Sequence, residues 1–178
     1  MALLQPLNKI PINKSLILLL LVSSPFTLFA QDKHIDLTVY QNGTGYKMGF
    51  SNSECPGSPQ NMGCIDVEHG NSPIISWELD AASDQDWELT RLQFSPDGQH
   101  WGDAGYPLQD CTMNDFRLSG GDSKSGKASS ANVVANGRRL QIHDFNNNAC
   151  TTHYKLFAQP RAGGAEINSD PVIKNRGN

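Results

Sequence analysis

Apolar and polar residues alternate along the chain from residue 31 onwards, and this period of two constrains the fold more than any other feature of the sequence. In HIDLTVY (34–40) the alternation places Ile35, Leu37 and Val39 on one face, as in a strand with one buried side. No segment keeps a helical period over three turns. We therefore predict an all-β protein, an antiparallel two-sheet immunoglobulin-like sandwich of about eight to ten short strands.

Turn-forming residues separate the predicted strands. WELTRLQFS (87–95), with Thr90, Leu92 and Phe94 on one face, leads into Pro-Asp-Gly (96–98). Proline and aspartate fit the two corners of a type I turn, and the glycine fits the left-handed position that follows. We predict a bulged hairpin whose returning strand carries Trp101.

Two further signals concern the second half of the chain. Asn136 and Gly137 lie between two apolar runs, which is a strong hairpin signal, and Gly137 is expected to have a positive φ angle. Pro171 lacks a backbone N–H group, so we expect its segment to form an edge strand.

Residues 1–30 have the features of a secretory signal peptide. A positively charged start precedes the apolar run SLILLLLV (15–22), and the small residue Ala30 ends the segment. The run is too short for a stable membrane span. We predict cleavage after Ala30, with a retained signal anchor as the alternative. A single β-sandwich domain (31–178) would then be secreted or periplasmic, with no membrane span.

The charge of the predicted mature chain argues against nucleic acid as a partner. Of the 14 basic residues, Lys9 and Lys14 leave with the signal peptide, so 12 remain against 18 acidic residues, a formal charge of −6. Arg138 and Arg139 form only a pair, and no basic stripe exists. A nucleic-acid-binding domain normally carries such a stripe.

All four cysteines, Cys55, Cys64, Cys111 and Cys150, follow the signal peptide. An even number of cysteines in an exported chain indicates disulfide bonds, and four cysteines allow three connectivities. We favour the pairs Cys55–Cys64 and Cys111–Cys150, because each pair flanks a loop-rich stretch. The spacings lack the close pairs of a zinc site.

Two sets of polar residues are candidates for metal binding. DFNNN (144–148) begins like a calcium loop but lacks the glycine and glutamate of an EF-hand, so we interpret it as an Asx-rich turn and keep a looser calcium site as the alternative. His143 and His153 lie on neighbouring predicted strands, with Asp144 close to both in sequence. These three residues are weak candidates for a divalent metal site.

The sequence contains no recognisable catalytic set. Ser58 and Ser119 lack the context of an activated nucleophile, and no phosphate-binding glycine pattern occurs, so no cofactor is expected. We predict a non-catalytic module that binds an envelope or extracellular protein, a glycan or a surface. Binding would use the loops 51–63 and 119–132, with the ring of Tyr106 or Trp101. The alternative is a small secreted hydrolase or metal-dependent enzyme.

Several short motifs in the second half are similar to those of a known group. They are WELD at Trp77, HDFNNN followed by HYKLF, and the tail SDPVIKN. Over residues 64–176 the chain resembles small secreted bacterial β-sandwich proteins of uncharacterised function, sometimes called the DP-EP family. The resemblance implies an immunoglobulin-like sandwich. It assigns no catalytic or binding residue, because the group has no known functional set.

Overall fold

A computed structural model describes residues 31–59, 62–95, 97–99, 101, 116–117, 127–129, 133–134 and 137–177. The predicted signal peptide, Tyr106 and Cys111 lie outside these ranges. The described elements are β1 (Lys33–Asn42), β2 (Gly45–Phe50), β3 (Ile65–Val67), β4 (Ile74–Leu79), α1 (Ser83–Asp86), β5 (Trp87–Ser95), β6 (Phe116–Arg117), β7 (Lys127–Ser129), β8 (Val133–Val134), β9 (Arg139–Asp144), β10 (Ala149–Pro160), β11 (Ile167–Ser169) and β12 (Val172–Arg176). In this part of the chain, no helix has the length and apolar character needed to cross a membrane.

The strands form two six-stranded sheets that pack face to face. Sheet 1 has the order β2-β1-β4-β9-β6, with β8 also paired to β9. Sheet 2 has the order β3-β12-β10-β5-β7, with β11 also paired to β10. The all-β sandwich is therefore confirmed, with twelve strands in the described residues where eight to ten were expected.

The sheets are mixed, whereas a purely antiparallel sandwich was predicted. β1 pairs with β4 in parallel, and β12 pairs with β3 in parallel. The chain leaves sheet 1 after β2, contributes β3 to sheet 2, and returns as β4 alongside β1. A parallel pair such as β1 and β4 cannot be joined by a tight turn and needs a crossover connection, which the passage through sheet 2 provides. Pro171 lies just before β12, which runs between β3 and β10, so the edge-strand prediction was wrong.

One hydrophobic core fills the space between the sheets. Trp77 of sheet 1 and Tyr154 of sheet 2 are both fully buried, and their ring centroids lie 5.1 Å apart. The period of two predicted the inward faces correctly for most strands. Extended to the other strands, the alternation places Ile75, Trp77, Leu92, Phe94, Leu140, Ile142, Tyr154 and Leu156 in the core. These residues, Ile35 and Leu37 are buried, and Val39 is partly buried.

A β-bulge changes which residues of β5 face the core. Leu92 pairs with Leu156, but the register then shifts so that Thr90 has no partner on β10. Its hydroxyl group instead donates to the Glu166 carboxylate, at 2.7 Å. Because the extra residue resets the alternation, Leu89 faces the core in place of Thr90, which the sequence had placed inward.

The turn after β5 has the predicted glycine conformation, but its described residues, 97–99 and 101, do not form the predicted hairpin. Gly98 has a φ angle of 75°. Trp101 lies outside any strand, because β5 already has β10 on one side and β7 on the other. The returning strand at Trp101 was therefore a wrong prediction.

Replacing Gly137 by alanine should destabilise the protein by about 1–3 kcal/mol, since the positive φ of 81° strains an L-residue and the new Cβ would lie 2.8 Å from the Glu88 Cβ. Gly43→Ala is the matched control, because Gly43 also has a positive φ (64°) but an open environment. Urea unfolding of both variants measures the difference. Equal losses would show that the contact with Glu88 contributes nothing.

Cys55 and Cys64 form a disulfide, with their Cα atoms 5.6 Å apart, as predicted. Cys150 also takes part in a disulfide. Its predicted partner, Cys111, lies outside the described residues, so that pairing stays a prediction.

Candidate functional site

The predicted metal candidates do not come together. His143 lies on β9 in sheet 1, where its Nε2 is 3.0 Å from the Ser72 hydroxyl. His153 lies on β10 in sheet 2, opposite Ser95. The two strands are consecutive in the chain, as predicted, but they belong to different sheets. Among the residues that the structure describes, no three histidine, cysteine, aspartate or glutamate side chains form a group suited to a metal ion.

The DFNNN segment is an Asx turn, as predicted. The buried Asp144 carboxylate accepts hydrogen bonds from the Asn146 backbone N–H, at 2.9 Å, and from the Asn175 amide, at 3.0 Å. The Asn146 side chain donates to the Glu68 carbonyl and accepts from the Gly177 N–H. These polar side chains tie the β9–β10 connection to the end of β12.

The C-terminal end of the loop 51–63 is hydrogen-bonded to the core. The Tyr154 hydroxyl donates to the Gly63 carbonyl, at 2.7 Å, and accepts from the Trp77 indole N–H, at 3.2 Å. Met62 is an exposed apolar residue of this loop, with 53% of its surface accessible.

Trp101, the other predicted contact residue, is engaged within the protein. Its indole N–H donates to the Gly98 carbonyl, at 2.9 Å, and the Lys155 ammonium lies 4.0 Å from the ring centroid. Of the predicted binding loop 119–132, the structure describes only the backbone of β7 (127–129).

A cleft that the sequence did not predict lies at one end of the sandwich. Its volume is about 530 Å³, within the range of small-molecule sites. It opens between β2, α1, the start of β5 and the end of β10. The lining residues are Tyr46, Gln85, Asp86, Trp87, Pro160, Arg161 and Ala162.

Two aromatic rings form one wall of the cleft. Tyr46 lies on the same face of β2 as Met48 and Phe50, but beyond the end of the core, so its side chain is 51% exposed. Trp87 is 7% exposed and fixed at the start of β5. The two ring centroids lie 5.1 Å apart with an interplanar angle of 59°. The buried indole thus supports an exposed phenol ring.

Asp80 fixes α1 against β1. Its two carboxylate oxygens accept hydrogen bonds from the Ser83 backbone N–H, at 2.7 Å, and from the Thr38 hydroxyl, at 2.6 Å. The Ser83 hydroxyl in turn accepts from the Val39 N–H, at 2.8 Å. Burial alone would raise the pKa of Asp80, but the hydrogen bonds from Thr38 and Ser83 outweigh it and lower the pKa below its ordinary value.

We expect Asp80 to make the protein less stable in acid. A lowered pKa means that the carboxylate stabilises the fold above about pH 4 and that this contribution is lost as the pH falls through the folded-state pKa. The free energy of unfolding of Asp80→Asn should therefore depend less on pH in this range. Thr38→Val should show an intermediate dependence, and identical slopes for all three proteins would contradict the assignment.

Arg161 fixes the opposite wall to α1. Its Nη2 is 2.7 Å from the Asp84 carboxylate and its Nε donates to the Asp84 carbonyl, at 2.9 Å. Its backbone N–H donates to the Asp86 carbonyl, at 2.8 Å, and Nη1 lies 3.6 Å from the Glu88 carboxylate. The guanidinium group is thus held by protein groups on two sides, which links the end of β10 to α1 and β5.

Comparisons with known proteins assign nothing to this cleft. No protein-family model matches the chain, and a search of the curated proteins also found no match. The resemblance to the DP-EP family stays a hypothesis. In YKMGF (46–50) the alternation of the sequence puts Tyr46, Met48 and Phe50 on one face, which is the sequence signal available for the aromatic wall. The polar wall carried no such signal, because residues 84–86 and 160–162 are far apart in sequence.

Proposed function

We propose that the protein is a secreted, non-catalytic binding module that holds a glycan in the cleft beside Tyr46. The observation that carries the proposal is the half-exposed ring of Tyr46, supported by Trp87 and bordered by polar side chains. An aromatic ring gives a sugar a rigid apolar surface at low entropic cost. The Gln85 amide and the Asp86 carboxylate supply hydrogen-bonding groups for hydroxyls at the edge of the same cleft.

The binding proposal is favoured over the enzyme alternative by the chemistry of the described residues. Hydrolysis of a glycoside needs two carboxyl groups on opposite sides of the scissile bond. Among the residues that line the cleft, Asp86 is the one carboxylate. Asp84 and Glu88 lie next to it in sequence, but both are engaged with Arg161.

The compartment is part of the proposal. A disulfide between Cys55 and Cys64 agrees with an oxidising environment. We expect the exported protein to begin at Gln31 and to weigh four hydrogen atoms less than the fully reduced chain, because two disulfides form. Intact-mass analysis of the secreted product tests both statements, and four free thiols would contradict them.

Tyr46→Ala should weaken glycan binding by roughly tenfold or more, because the change removes the exposed ring. Tyr40→Ala is the control, since Tyr40 is also exposed (43%) but projects from the outer face of sheet 1, beside Gly49. Ligands found on a glycan array would be titrated by calorimetry against all three proteins. Equal affinities would refute the cleft as the site, and release of shortened sugars would favour the enzyme alternative.

A further inference from the structure

We infer that the glycan bound in this cleft carries a protonated amino group, so that the ligand is an amino sugar rather than an acidic or purely neutral one. This inference rests on the proposed function, because it specifies the ligand of the same site. Two observations support the inference: the net charge of the residues around the cleft, and the hydrogen bonds and ion pairs that these residues already make within the protein.

Asp86 and its charged neighbours carry a net negative charge. Asp86 and Arg161 line the cleft, Asp84 and Glu88 lie two positions before and after Asp86, and Arg161 pairs with Asp84 and Glu88. The formal charge of these four residues is therefore −2. A uronic or sialic acid would bring further negative charge into this field, whereas an ammonium group would be attracted by it.

Arg161 is poorly placed to offset a ligand's negative charge. Its Nη2 and Nε both donate to Asp84, and Nη1 faces Glu88. An incoming carboxylate would have to displace at least one of these interactions. The guanidinium group thus serves to hold α1 against the end of β10, and it is not a receptor for an acidic sugar.

Asp86 is the carboxylate available to a cationic ligand. Within the described residues, no side chain or backbone group donates a hydrogen bond to its carboxylate, and no cation pairs with it. Its backbone carbonyl accepts from the Arg161 N–H, which fixes the residue at the edge of the cleft. A sugar stacked on Tyr46 can therefore place an ammonium group near Asp86, and the phenol ring itself attracts a cation.

The test compares three oligosaccharides of equal length: a glucosamine oligomer, its N-acetylated form and a uronic acid oligomer. The mature protein should bind the glucosamine oligomer at least roughly tenfold more tightly than the other two at low ionic strength, and added salt should reduce the difference. Asp86→Asn should remove this preference, because it should lower the affinity for the glucosamine oligomer much more than the affinity for the N-acetylated oligomer. Asp36→Asn, on the outer face of sheet 1, should leave the preference intact.

The outcomes separate the inference from the function on which it rests. Equal or tighter binding of the N-acetylated or uronic acid oligomer would overturn the inference while glycan binding stood. An unchanged preference in Asp86→Asn would also overturn it. Binding of a simple polyamine as tight as that of the glucosamine oligomer would overturn the sugar as the ligand. Absence of binding to every glycan would refute the proposed function itself.

Discussion

Replacing Tyr154 by phenylalanine will lower the free energy of unfolding by about 2–4 kcal/mol, although the ring itself is retained. The Tyr154 hydroxyl lies between two buried groups, accepting from the Trp77 N–H and donating to the Gly63 carbonyl. Loss of the hydroxyl leaves a buried donor and a buried acceptor without this partner, and each costs about 1–3 kcal/mol. Burial raises the pKa of this hydroxyl above its ordinary value, so the donor persists through the neutral range.

Tyr40→Phe provides the matched control for this experiment. Tyr40 is 43% exposed, so water can satisfy the groups that its hydroxyl leaves behind, and the change should cost less than about 0.5 kcal/mol. Urea unfolding at neutral pH measures both variants. A Tyr154→Phe variant as stable as the parent would show that the hydrogen-bond chain to Gly63 contributes nothing.

The sequence predicted those parts of the fold that depend on local alternation. Ile35, Leu37 and Val39 share a face because neighbouring side chains of a strand point to opposite sides, whatever the strand pairs with. The position of Gly137 in a tight turn was predictable for the same reason, since it depends on the backbone at a single residue.

Features that depend on distant parts of the chain were not predictable in this way. The parallel pairing of β1 with β4 requires a chain that visits sheet 2 before it returns, and no local pattern encodes that path. The bulge at Thr90 arises in the pairing of β5 with β10, and the Thr90 hydroxyl contacts Glu166; both partners lie far along the sequence. The expected strand at Trp101 failed because β10 and β7 already occupy both sides of β5.

The cleft belongs to this second class. Tyr46, α1, Trp87 and Arg161 come from separate segments, and they meet because Arg161 holds both Asp84 and the Asp86 carbonyl. None of these residues belongs to a recognisable motif in the sequence. The cleft depends on the placement of these residues together in the fold, so no short sequence motif encodes it, whereas turns and strands have local signals.

Removing the Cys55–Cys64 disulfide by paired alanine substitutions should lower the free energy of unfolding by about 3 kcal/mol. The bond closes a short loop, with a sequence separation of 9, and so restricts the unfolded chain. The denaturant dependence should become steeper, since the unfolded chain without this link exposes more surface. An unchanged midpoint would mean that the unfolded loop is restricted by other means.

The same disulfide also positions Gly63 for its hydrogen bond with Tyr154, because Gly63 directly precedes Cys64. The two substitutions should therefore be coupled. Tyr154→Phe should cost about 1 kcal/mol less in the variant without the disulfide than in the parent, because part of that hydrogen bond is already lost. A double-mutant cycle by urea unfolding gives the coupling energy. Strict additivity would show that the core holds Gly63 in place without help from the disulfide.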